Sequence, residues 1–175
     1  SEHGLPELLA RELGGSFYPV HRLDLGVGGL MVFARSRKAA ADMSGLIAQG
    51  KLQKEYLALV QGCPEEPEGR MEDLLWKDGR KNKVFVVKRQ RGGVKKARLE
   101  FKRLWAGETS CVRIRLHTGR SHQIRVQFSS RGFPLVGDRK YGGKDEYTAP
   151  MLFSCCLTFP HKGQTLRFEQ LPDWV

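Results

Sequence analysis

Residues 97–116 read ARLEFKRLWAGETSCVRIRL. Apolar side chains alternate at Ala97, Leu99 and Phe101 and again at Val112, Ile114 and Leu116, the period of a strand with one buried face. Residues 106–109 between them suit a turn, so the stretch predicts a hairpin of two strands, 97–105 and 110–116. Around it the chain offers more strands than helices. Residues 56–61, 70–76 and 84–87 read as strands, with a turn at Asp78-Gly79 and a Pro- and Glu-rich loop at 62–69. Residues 151–159 and 165–168 read as closing strands about a turn at 160–163.

Upstream, Leu5, Leu8, Leu9 and Leu13 recur at a helical period, and Gly14-Gly15 stops the helix. Residues 17–20 are extended. A Gly-rich turn at 26–29 leads to residues 30–34, a continuous apolar run that reads as a strand buried on both faces. Ser36 is a good N-cap for a second helix whose apolar face holds Ala39, Ala40, Met43, Leu46 and Ile47 and which Gly50 closes. Residues 117–132 are ambiguous. Ile124, Val126 and Phe128 alternate as in a strand, whereas Thr118, Gly132 and the length suit a helix. Strands at hairpin spacing with a few helices predict an α+β domain with a mixed, mainly antiparallel sheet and flanking helices.

Across 175 residues the net charge is +11, and it is uneven. Residues 77–103 hold twelve basic and two acidic side chains, and residues 111–140 seven basic and one acidic, Asp138. Such clustering is the footprint of a polyanion-binding surface. No apolar run reaches the roughly 20 residues of a membrane-spanning helix. Cys63, Cys111, Cys155 and Cys156 lack the spacing of a zinc site. A reducing compartment suits them.

Chemistry could sit at three places. His21-Arg22-Leu23-Asp24 puts a carboxylate two residues from a guanidinium, just before the glycine turn. An ionised carboxylate there can act as nucleophile or base, and a salt-bridged turn Asp looks the same in sequence. Residues 118–125, TGRSHQIR, would as a helix put Ser121 and Arg125 on one face and its N-terminus beside Arg120, where phosphate is attracted. A solvated amphipathic helix fits equally. Tyr56 could stack on a base or be merely half-buried. Residues 26–29 lack the Walker lysine and the dinucleotide fingerprint. His117 and His122 lack companions for a metal, and no zinc-deaminase motif is present.

Taken in order, these segments resemble the RluA-like pseudouridine synthases. The matching stretches are His21-Arg22-Leu23-Asp24 with Gly29-Leu30; residues 54–60, KEYLALV; residues 118–126, TGRSHQIRV; and residues 132–138, GFPLVGD, with Tyr141-Gly142. Residues 152–161 are similar to the family's closing strand. The likeness runs over nearly the whole chain. It implies the pseudouridine synthase catalytic fold as a single domain over residues 1–175, a helix from about Arg120, and isomerisation of uridine in structured ribosomal or transfer RNA. Asp24 falls on the catalytic carboxylate, Tyr56 on the active-site tyrosine and Arg125 on the arginine that pairs with the carboxylate. Arg22 falls on an RNA-contacting position implicated in handling the flipped base. With it, Arg120, His122 and Gln123 are the expected RNA contacts.

The resemblance further implies no cofactor or metal, a cytoplasmic monomer and no membrane association. Two departures stand out. Val27-Gly28 replaces the usual Thr-Ser or Val-Ser before Gly-Leu. The family's upstream strand segment with its Asn-Lys-Pro motif, and an S4 domain, are expected to be lacking. The competing expectations are a catalytically inactive RNA-binding protein on the same fold and a general nucleic-acid-binding module.

Overall fold

The computed structural model describes residues 4–144 and 147–175. Its centre is the antiparallel hairpin of β7 (Val94–Trp105) and β8 (Thr109–Leu116). To one side β7 pairs with β5 (Glu68–Asp78), which pairs with β6 (Lys83–Val87). To the other, β8 pairs with β4 (Gln53–Gln61), then β9 (Leu152–His161), then β10 (Gln164–Glu169). All these pairings are antiparallel. A short parallel one, β2 (Gly28–Gly29) on Phe153-Ser154 of β9, makes the sheet mixed. The α+β expectation and the mainly antiparallel sheet hold.

The alternation in β4, β7 and β8 has the physical meaning expected of it. Tyr56, Ala58, Val60, Leu99, Val112 and Ile114 share one face and pack against Ile124 and Phe128 of α3 (Gln123–Ser130). Phe128 is fully buried and meets Phe101 edge-on, with ring centroids 5.6 Å apart. Truncating such a ring costs about 3–5 kcal/mol. Leu75, Val84 and Ala97 extend this face to Val126 and Tyr141. On the opposite face Leu57, Cys111, Cys155 and Cys156 form their own cluster with Trp174. Cys155 and Cys156 are thus core residues, and all four cysteines are free.

The first helix runs as expected, α1 (Leu5–Leu13). In α2 (Arg37–Ala48) Ser36 is the N-cap, its hydroxyl accepting from the Ala39 amide at 3.1 Å. Met43 of α2 packs with Leu52 and Phe159.

Several expectations need correction. Residues 30–34 are not a strand buried on both faces. Only Phe33–Ala34 (β3) pairs, with Tyr18–Pro19 (β1), and of the run only Ala34 is buried. The run is apolar because it lies between α2 and the sheet, with Val32 in the α2 cluster. β5 begins at Glu68, inside the expected loop 62–69, because its partner β7 extends to Lys102 opposite it. The last turn is tighter than 160–163. Lys162 (φ 49°) and Gly163 (φ 74°) form a two-residue loop with both residues left-handed, the geometry that matches strand twist.

The most consequential difference lies before α3. The helix starts at Gln123, not near Arg120, because His122 is left-handed (φ 50°) and a left-handed residue cannot continue a helix. Ser121 therefore shares no helical face with Arg125, and Arg120 lies in a loop outside the helix.

Candidate active site

Asp24 sits on a turn closed by the Val27 amide donating to the Asp24 carbonyl at 3.0 Å. The turn is fastened to the sheet by Gly29. A Cβ there would come within 2.3 Å of the Ser154 carbonyl oxygen, and φ is 115°, so this position is closed to other residues. Immediately after it, the Leu30 amide donates to the same Ser154 carbonyl at 2.9 Å. The substituted position, Gly28, is different. A Cβ there would stand 3.6 Å from the Phe153 ring, ordinary contact, so its lack of a side chain is no steric requirement.

Arg125, on α3, links two carboxylates. It holds Asp138 bidentately, with Nε–H to Oδ2 at 2.7 Å and Nη2–H to Oδ1 at 2.9 Å. Its remaining Nη1 reaches Asp24 Oδ2 at 3.4 Å. The exposures rank the same way: the side chains of Asp138, Arg125 and Asp24 are 1%, 8% and 23% exposed. Burial opposes the charge on Arg125, and its two carboxylate partners outweigh that and raise its pKa. Arg125 does pair with Asp24, but Asp138 is what fixes it. A fork held at two nitrogens has little freedom left. Asp24 is thereby left near a cation, with no hydrogen-bond partner on Oδ1 among the described residues. Sequence reading quoted Asp138 without giving it a role. Its signal was its isolation, the one acidic residue between 111 and 140.

Tyr56 comes from β4 and lines the same pocket as Asp24 and Arg125, with Leu23, Val27, Ile124 and Leu152 as apolar walls. Only 7% of Tyr56 is exposed. Burial first, and then the charge of Asp24, push its phenol up to about 12. Lys54, two residues earlier on the same strand, also lines this pocket and was given no role in the sequence reading. Its ammonium has no carboxylate partner among the described residues, and burial lowers its pKa. A Cβ on Gly119 would meet Lys54 Nζ at 2.7 Å, so that glycine makes room for the lysine.

The four expected RNA contacts separate. Arg22 is exposed at the pocket mouth, without an ion pair among the described residues. Arg120 is exposed there too, its Nε–H donating to the Lys96 carbonyl at 2.8 Å. His122 lies on the other side of Asp24, its Nδ1 2.7 Å from the Tyr141 hydroxyl. Gln123 lines the pocket and also ties the loop together. It is 3% exposed; its amide donates to the Arg98 carbonyl at 3.0 Å, and its oxygen accepts from Thr118 Oγ1 at 2.8 Å and the Arg120 amide at 3.0 Å.

Comparison with known proteins shows the family. The family model described as RNA pseudouridylate synthase matches residues 6–130. The chain belongs to that family. Among its relatives is an uncharacterized RNA pseudouridine synthase of Aquifex aeolicus, 34% identical over 174 residues, which span 90% of this chain and 54% of that protein. The dual-specificity RNA pseudouridine synthase RluA of Escherichia coli is 30% identical over 163 residues, 89% of this chain and 73% of that one. The chain thus spans about half the length of the Aquifex relative. In structure it is similar to human RNA pseudouridylate synthase domain containing 1, with a TM-score of 0.84 at 26% identity over 98% of this chain and 75% of that one.

Proposed function

We propose that this protein isomerises uridine to pseudouridine in RNA, with Asp24 as the reacting carboxylate. The observation that carries the reading is the placement of Asp24. It is partly exposed at the floor of a pocket, 3.4 Å from a guanidinium that a second, buried carboxylate holds in position. Family membership supplies the reaction class.

In the reaction the N1–C1′ bond breaks, the uracil turns and C5 bonds to C1′. The C5 proton leaves and N1 gains a proton, with no net redox change. Asp24 acts at the sugar, and Arg125 orients it through a charge-assisted contact at 3.4 Å. Tyr56 packs against the uracil. A phenol pushed up to about 12 stays protonated at neutral pH, which supports packing and hydrogen bonding over a role as base at C5. The target base must first leave its stack at a cost of a few kcal/mol. Arg22, exposed at the mouth, is placed to enter the vacated space.

Ribosomal or transfer RNA is the proposed substrate, and a cytoplasmic monomer the proposed state. The free, mostly buried cysteines support a reducing compartment. No helix among the described residues is long and apolar enough to cross a membrane.

The test is tritium release from RNA labelled at uridine C5. Wild-type protein should release tritium, and Asp24→Asn should lose roughly a thousandfold or more while still binding RNA. Binding without release by both proteins would instead favour the inactive RNA-binding reading.

A further inference from the structure

Asp24 borders a second cavity of about 590 Å³, which shares Arg22, Leu23, Asp24 and Arg125 with the tyrosine pocket. Its other walls include Asn82, His122, Arg139 and Lys140. Its two carboxylates, Asp24 and Asp138, are both engaged by Arg125. Arg22, Arg139 and Lys140 have no carboxylate partner among the described residues. A cavity with this balance suits an anion.

His122 is the most constrained member. Its backbone is left-handed at φ 50°, a conformation that costs energy outside glycine and persists only where surrounding structure imposes it. Its ring meets Tyr141 edge-on at 82°. The Val84 amide donates to the Tyr141 hydroxyl oxygen at 2.8 Å, and that hydroxyl lies 2.7 Å from His122 Nδ1. The arrangement that satisfies all three groups has Tyr141 accepting from Val84 and donating to Nδ1. Nδ1 is then an acceptor, and the imidazole proton sits on Nε2. Nε2 has no partner among the described residues and is not one of their buried, unsatisfied atoms, so it stays open to a ligand. Burial lowers the pKa of His122; Asp24 opposes this, while Arg125, Lys140 and Lys77 add to it. The net shift favours the neutral ring.

We propose that this cavity receives a phosphate of the target nucleotide, with His122, held as an Nε2–H donor by Tyr141, as the contact that orients it. The proposal rests on the function proposed above. The cations supply charge from flexible arms, whereas a neutral donor on a fixed ring supplies direction. Tyr141 is a positioning residue, acting through His122.

The tautomer is read by long-range ¹H–¹⁵N spectra of the full chain labelled at histidine, with His122 assigned by loss of its signals in His122→Gln. At pH 7.5 Nδ1 should appear as an unprotonated nitrogen and Nε2 as N–H, and Tyr141→Phe should give a mixture. Uridine 5′-monophosphate should move the Nε2 signal, and uridine should not. A proton on Nδ1 in the wild type, an equal response to uridine, or no response to millimolar monophosphate would each overturn the proposal.

Kinetics give an independent reading. His122→Ala should lower kcat/KM for tritium release about tenfold. The salt slope of RNA binding should stay unchanged, because no cation is lost. Lys140→Gln should reduce that slope by about one. A reduced slope in His122→Ala would mean a charged contact and refute the neutral donor. Absence of tritium release by the wild type would sink the isomerase reading while leaving the spectra decisive for the subsite.

Discussion

The two faces of the sheet carry similar basic side chains and treat them differently. On the face turned away from α3, Arg113 bonds Glu55 at 3.1 Å and Glu169 at 2.9 Å, and Arg70 meets Glu100 at 3.0 Å. Arg167 approaches Glu55 and Glu169. A groove of about 440 Å³ runs along this face, lined by Glu55, Glu68 and Glu100 together with Arg70, Lys102, Arg113 and Arg115. On the α3 face Lys54, Lys77, Lys95 and Arg120 line the site and an adjoining cavity of about 190 Å³, with no carboxylate partner among the described residues. Lys102 and Arg115 in the back-face groove also lack a carboxylate partner among the described residues, so the contrast lies in the linings: three glutamates line that groove, and Asp24 is the one acidic side chain lining the site and its adjoining cavity. Arg70 and Arg167 are solvent-exposed and their pairs are each worth at most about 1 kcal/mol, whereas Arg113 and Glu55 are both half-buried.

The largest effect should come from the one strongly buried ion pair on the active face. Asp138→Asn leaves Arg125 buried without its main counterion and should cost about 3–5 kcal/mol, read as a shift in the urea midpoint. A cost comparable to that of a surface pair would mean that Asp24 can hold Arg125 alone.

Next in size is an acid effect. Burial first, and then Lys54, lower His21 to about 4 from 6.5, and its Nε2 accepts from the Val32 amide at 2.9 Å. A histidine kept neutral by the fold gives stability that is fully present above pH 6.5. It is lost as pH falls from 6.5 toward 4, because the unfolded chain takes up the proton first. The loss should be on the order of 3 kcal/mol, and His21→Gln, which keeps an acceptor, should remove that part of the pH dependence. Parallel curves for the two proteins would refute it.

The facial contrast itself is tested by salt. Lys77→Gln with Lys95→Gln should lower the salt slope of RNA binding by about two, and Arg70→Gln should leave it unchanged. Equal slopes would place RNA elsewhere. The smallest effect is expected from Glu55→Gln. It removes one of the two carboxylates that Arg113 and Arg167 share, leaving Glu169, and should change stability by about 1 kcal/mol or less and RNA affinity not at all. Tighter binding in that variant would enlist the back face.

How much of this was legible in sequence follows from how local each signal is. The β7–β8 hairpin was legible because alternation and a short turn are properties of consecutive residues. Asp24, Tyr56 and Arg125 were named through motifs, and they do converge on one pocket. The start of α3 was not legible, because it depends on the left-handed backbone of His122, which contacts 19 and more residues away hold in place. The grip of Asp138 on Arg125 spans 13 residues and two elements, and no local period encodes it. Residues 30–34 misled because an apolar run reads alike whether sheet or helix covers it. The bonds of Gln123 within the loop were not legible either, because a motif records which residue stands at a position and not which of its atoms are already engaged.

Gly29 has a consequence for the order in which the molecule can be built. It leaves room for backbone contact between the turn bearing Asp24 and Ser154, which lies 130 positions further along the chain from Asp24. Arg125 and Asp138 also come from the later part. As the polypeptide emerges from the ribosome, Asp24, the carboxylate proposed to react, is therefore among the first site residues made and among the last to be seated. Until residue 154 has been made and docked, the turn bearing the aspartate lacks its backbone anchor to the sheet. Pairing over so long a separation is slow. Competence should therefore arrive late in refolding, after the central hairpin has formed, and all at once.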